Sequence, residues 1–109
     1  MIPYNDFRRL LADASECATL DLYMAECGGS VSTDGMESAV KLLDLLYPLG
    51  HDGLSIRRIS DVFGIPVRQI AIRYGIPQRT LENWSSGSRR SSDWQLELIA
   101  YAVLSDYVK

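Results

Sequence analysis

Apolar residues recur along the first quarter of the chain at helical spacing. Phe7, Leu10, Leu11, Ala14, Ala18, Leu22 and Ala25 fall three, four or seven positions from a neighbour in the set, which puts them on one face of an α-helix. With Pro3 as a first-turn residue, the pattern predicts one amphipathic helix over 3–26. Gly28-Gly29-Ser30 ends it, and a small polar loop runs to Gly35. A second stripe (Met36, Val40, Leu43, Leu46, Tyr47, widened by Leu42, Leu45 and Leu49) predicts a helix over 34–47, with Asp34 and Glu37 near its positive end. Pro48, Gly50 and Gly53 then break the pattern, so 47–54 reads as a linker. Beyond it the segments shorten to 55–63, 67–74, 77–86 and 93–108, separated by two Gly-Ile-Pro turns and a Gly-Ser-Arg-Arg-Ser-Ser loop. No run alternates with the period of a strand. The expectation is an all-α protein, with a helical hairpin over 1–50 and a bundle of short helices over 54–109.

The two turns repeat one phrase, Phe63-Gly64-Ile65-Pro66 and Tyr74-Gly75-Ile76-Pro77, eleven residues apart. That is too short a period for a stacked repeat. A helix-turn-helix needs a small residue where its helices cross, a turn residue tolerant of positive φ, and apolar anchors facing inward from the second helix. Around Gly75, Ala71 is the small residue, Ile70 faces the core, and Ile76, Leu81 and Trp84 supply the anchors. Around Gly64 the matching slots hold Ser60, Ile59, Phe63 and Ile70, but the slot nine residues on is Arg73, a charge where bulk is needed. The second turn completes the motif. The first joins the leading helix to 67–74.

The run from Ile59 to Trp94 resembles the lambda-repressor-like (XRE/Cro-type) helix-turn-helix domains of bacterial and phage regulators. The residues that carry the resemblance are Gly75-Ile76-Pro77, Arg79-Thr80-Leu81, Asn83-Trp84, Gly87, Arg89 and Trp94. It is closest to the subgroup with Arg-Thr-Leu-x-x-Trp-x-x-Gly-x-Arg over the second helix, and it covers roughly 54–105. The resemblance implies a sequence-specific DNA-binding transcription regulator whose helix 77–86 lies in the major groove. Base readers are implied at Gln78, Arg79 and Asn83. The loop holding Arg89 and Arg90, together with the first turn of the helix from 67, is implied to grip the backbone. The chain departs from the family at Pro66-Val67, where a Ser/Thr-Gln pair is usual, and at Ser85, where Glu is usual.

The residues themselves agree with that reading. Helical spacing turns Leu81 and Trp84 inward and Gln78, Arg79, Glu82 and Asn83 outward. Gln pairs bidentately with adenine and Arg with guanine, while Glu82 can accept from cytosine or hold Arg79. Thr80, Arg68 and Arg73 are candidates for phosphate contact. Trp84 and Trp94 are expected in the core rather than stacked on bases, and Tyr101 and Tyr107 are expected to pack or sit in an interface.

Charge sharpens the division. The chain carries −3, yet residues 1–53 hold three basic side chains against nine acidic ones, and residues 54–109 hold eight against five. The acidic helices should stay away from phosphates and are expected to form a homodimer, since a twofold pair reads two half-sites about one helical turn apart. The competing use is to dock another protein, as an antitoxin docks its toxin. A pI near 5.0 and the Pro66-Val67 departure favour a module that binds protein and has lost DNA. An enzyme is not expected, because there is no Gly-rich phosphate loop or Cys–His pair, and His51, the one histidine, falls in the linker. No metal or cofactor is expected either. Cys17 and Cys27 would face different sides of helix 3–26, which disfavours a disulfide. With no apolar run near the roughly 18 residues of a membrane span and no leading signal segment, the expected address is the cytoplasm.

Overall fold

The computed structural model describes residues 2–27, 36–87, 89 and 92–107, with the side chains of 36–38 outside that set. The protein is all-α: among the described residues there are seven helices and no strand. They fall into two compact units, Met1–Gly53 and Leu54–Lys109.

In the first unit the expected helix 3–26 is two helices, α1 (Tyr4–Glu16) and α2 (Leu20–Cys27). The break follows from local hydrogen bonds. Cys17 leaves the helix in an extended conformation, and the Thr19 hydroxyl accepts from the Leu22 N–H at 3.2 Å, starting a new first turn. The new phase exposes Ala18, Leu22 and Ala25 and buries Tyr23 and Cys27 instead. The apolar stripe across the break is therefore coincidental. The fully buried Tyr23 donates its hydroxyl to the Leu10 carbonyl at 2.8 Å.

α3 (Met36–His51) runs through Pro48 rather than ending before it. The expected stop at 28–30 and Asp34 lie outside the described residues, as does the side chain of Glu37. Two features favour the longer helix. The Tyr47 hydroxyl donates to the Cys17 carbonyl at 3.0 Å, and His51 Nδ1 lies 3.3 Å from the Ala14 carbonyl, so α3 caps carbonyls at the C-terminal end of α1. Gly50 also permits close packing: a Cβ there would strike the Leu11 carbonyl oxygen and come 2.8 Å from the Ala14 Cβ. His51 thus ends a helix, stacked on Tyr47 with ring centroids 4.8 Å apart, and does not sit in a linker. Phe7, Leu10, Leu43, Leu46 and Leu49 fill the core, while Val40, expected on the apolar side, is 44% exposed.

Both cysteines of this unit are buried thiols, not joined in a disulfide. The Cys17 thiol lies 3.5 Å from Glu26 Oε2 and that of Cys27 lies 3.8 Å from Asp13 Oδ2. Burial, and then the Asp13 charge, push the Cys27 thiol up to about 11. Such a thiol stays protonated and is a poor nucleophile.

The second unit follows the expected segments closely: α4 (Ile56–Phe63), α5 (Val67–Tyr74), α6 (Gln78–Ser86) and α7 (Asp93–Tyr107). Ser55 caps α4, accepting from the Arg58 N–H at 3.1 Å. Ser92 begins α7 as half of a capping box, its N–H donating to Gln95 Oε1 at 3.0 Å. Ile56, Ile59, Ile70, Leu81, Ala100, Val103 and Leu104 are essentially inaccessible and form the core. Each large aliphatic among them is stabilised by about 2 kcal/mol through burial. Trp94 departs from expectation: it is 60% exposed on the first turn of α7, and Leu98, one turn on, is 46% exposed. Core packing at the start of α7 falls to Leu96 instead.

Candidate nucleic-acid interface

The candidate interface is built on the Gly75 turn. Gly75 adopts φ 67° and ψ 29°, a left-handed conformation that a Cβ would strain. Its N–H and that of Ile76 both reach the Ala71 carbonyl, the latter at 3.0 Å, which closes α5 and redirects the chain. Ala71 is buried beside the turn, Ile76 is half-buried, and Leu81 is fully buried six residues on. Trp84 is half-buried. One side of it lines an open cleft of about 480 Å³ together with Ile56, Leu96, Arg89 and Asp93.

With Leu81 anchored inward, α6 presents the opposite face to solvent. Gln78, Arg79 and Glu82 are exposed there, and Asn83 and Thr80 are half-buried. Gln78, not Arg79, is the partner of Glu82: Gln78 Nε2 donates to Glu82 Oε1 at 2.8 Å, one turn apart. Of the expected phosphate contacts, Arg68 and Arg73 on α5 and Arg89 beyond α6 are exposed. Arg90 lies outside the described residues, as does Ser88. The Arg89 N–H reaches back to the Asn83 carbonyl at 3.3 Å, which keeps the start of that loop against the end of α6.

Tyr74, next to Arg73 in the chain, belongs to a pair that sequence spacing does not reveal. The Tyr74 hydroxyl donates to Asp106 Oδ2 at 2.6 Å. Burial, then the Asp106 hydrogen bond and charge, raise Tyr74 to about 12, with Arg73 opposing the shift. Arg73 therefore interacts with the Tyr74 hydroxyl, whereas Arg68 lies at the start of its helix. The Gln78–Glu82 pair was legible as an i,i+4 spacing; the Tyr74–Asp106 pair spans thirty-two residues and left no local signal.

Among the described residues, no group of three His, Cys, Asp or Glu side chains is placed to hold a metal ion, and no helix is long and apolar enough to cross a membrane. The chain matches no protein-family model, no curated protein and no solved structure at a significant level.

Proposed function

We propose that this chain is a sequence-specific DNA-binding transcription regulator of the lambda-repressor-like kind, with α5 and α6 as its helix-turn-helix and α6 read into the major groove. The observation that carries the reading is the outward face of α6. Gln78 and Arg79 stand exposed there, with Asn83 a turn further on, on a helix pinned from below by the inaccessible Leu81. These side chains carry the donor and acceptor sets that suit adenine and guanine edges. Arg68, Arg73, Arg89 and Arg90 then take phosphates, with Thr80 donating a hydroxyl. The acidic helices of the first unit serve a homodimer that brings two half-sites together.

Fluorescence anisotropy on a duplex selected from a randomised pool tests the reading. About four phosphate contacts predict an affinity that falls by about two orders of magnitude between 50 and 200 mM salt. Arg79→Ala should flatten base preference at one position, whereas Arg90→Ala should weaken all duplexes alike. A pool that yields no bound duplex at low salt sinks the proposal.

A second reading has its own observation. Ile72, Trp94 and Leu98 are 63%, 60% and 46% exposed in the second unit, and exposed large apolar side chains of this kind favour a protein partner. Under that reading the fold is an interaction module or an antitoxin-type component, and DNA binding is weak or lost. A stable complex formed with a partner in the absence of DNA, abolished by Trp94→Ser, would favour it.

A further inference from the structure

Glu82 places a negative charge on the face of α6 that, in the reading above, enters a groove lined by phosphates. The cost of that placement calls for a compensating contact, and the structure supplies one. Glu82 Oε1 accepts from Gln78 Nε2 at 2.8 Å. Because an ionised carboxylate only accepts, the amide atom facing Glu82 must be the nitrogen, so the pair removes the usual ambiguity in how a glutamine amide is turned. An Nε2 carries two hydrogens. The bond to Glu82 uses one of them, which leaves the second hydrogen and the amide oxygen of Gln78 to meet a base. A free N–H next to a free carbonyl oxygen is the fork that meets adenine N7 and N6.

We infer that Glu82 is a positioning residue for base recognition: it holds the Gln78 amide in the orientation that reads an A·T pair, and its charge weakens binding to every duplex alike. The inference rests on the DNA-binding reading of α6 and adds to it how Gln78 is held to select its base. Held in advance, Gln78 loses less side-chain freedom on binding than an unrestrained glutamine. The repulsive charge acts on all sequences alike and cancels between right and wrong DNA, so the discrimination comes from the oriented amide.

Two substitutions separate geometry from charge. Glu82→Gln keeps an acceptor within reach of Gln78 and removes the charge; Glu82→Ala removes both. Each is read on duplexes selected by the wild-type protein and on their single-base variants, with thermal melting as a check on folding. Glu82→Ala should lose about tenfold discrimination at one A·T pair, the same pair affected by Gln78→Ala, with an unchanged melting temperature. Glu82→Gln should keep that preference, while both variants bind unrelated DNA several-fold more tightly at low salt. Wild-type preference at every position in Glu82→Ala would overturn the inference and leave the DNA-binding reading standing. So would an equal loss in Glu82→Gln and Glu82→Ala. Absence of wild-type binding to any duplex in the pool would overturn both.

Discussion

The two Gly-Ile-Pro turns of the second unit have one backbone and two different neighbourhoods. Gly64 sits at φ 65° and ψ 30° and Gly75 at φ 67° and ψ 29°. The Ile65 N–H reaches the Ser60 carbonyl at 3.1 Å, and the Ile76 N–H reaches that of Ala71 at 3.0 Å. Six residues past each glycine lies a fully buried aliphatic, Ile70 or Leu81. The copies part at the slot nine residues on, where Arg73 is exposed and Trp84 is half-buried. They part again four residues before the glycine: the Ser60 hydroxyl donates to the Ile65 carbonyl at 2.6 Å, a contact Ala71 has no atom to make. The glycine thus sets the angle between helices, and the side chains around it decide what the following helix is for.

The aromatic residue that opens each copy has a use that neither turn explains alone. Phe63 packs edge-on against Tyr107, ring centroids 5.4 Å apart, and Tyr74 bonds the adjacent Asp106. Both copies therefore fasten to the C-terminal end of α7, one through apolar contact and one through a hydrogen bond.

The largest test strikes what the turns share. Leu81→Ala and Ile70→Ala should each destabilise the protein by about 3 kcal/mol in urea unfolding, since both delete a fully enclosed aliphatic. A much smaller loss at one of them would mean that the two anchors are not equivalent. The next test strikes where the turns differ. Trp84→Ala should cost about 2 kcal/mol, whereas Arg73→Ala should stay within about 0.5 kcal/mol. Equal losses would remove the reason for preferring the second turn as the DNA-reading one. Gly64→Ala and Gly75→Ala come third. A Cβ meets nothing within 4 Å at either position, so the cost is backbone strain alone, about 1–2 kcal/mol and the same for both.

These residues also show how much could be read in advance. Helices α4, α5 and α6 end at glycines in the left-handed conformation and begin at Ser55 or at prolines, and such punctuation is local, so their bounds are close to those the sequence predicts. The exposed face of α6 followed from 3.6-residue spacing once Leu81 was placed inside. The first unit departs from its local pattern because contacts distant in sequence help decide it. Thr19 lies between Ala18 and Leu22 of a stripe that reads as continuous; its hydroxyl restarts the helix, and the new phase brings Tyr23 to the Leu10 carbonyl. Pro48 and Gly50 carry the local signature of a helix end. Contacts from Tyr47 and His51 to the end of α1, and the fit of Gly50 against Leu11, favour continuing the helix instead. Trp94, expected in the core, is exposed, because the apolar spacing of α7 does not say which of its apolar sides faces inward.

The smallest test concerns the aromatic anchors, where pH distinguishes the two copies. Tyr74→Phe removes the hydrogen bond to Asp106 and should cost about 0.5–1 kcal/mol at neutral pH, the contact being largely at the surface. In the folded protein the phenol is held protonated, its pKa raised to about 12 from an ordinary value of 10.0. A raised folded pKa means that the unfolded chain loses its proton first. The stabilisation is therefore complete below about pH 10 and fades as pH climbs through about 12. The difference in unfolding free energy between the wild type and Tyr74→Phe should accordingly shrink across that window, with all other titrating groups cancelling in the comparison. Phe63 has no proton to lose, so the cost of Phe63→Leu should show no such pH dependence. A Tyr74→Phe difference that is flat from pH 8 to 12 would mean that Asp106 does not hold the hydroxyl, and that the second copy, like the first, is fastened to α7 by packing.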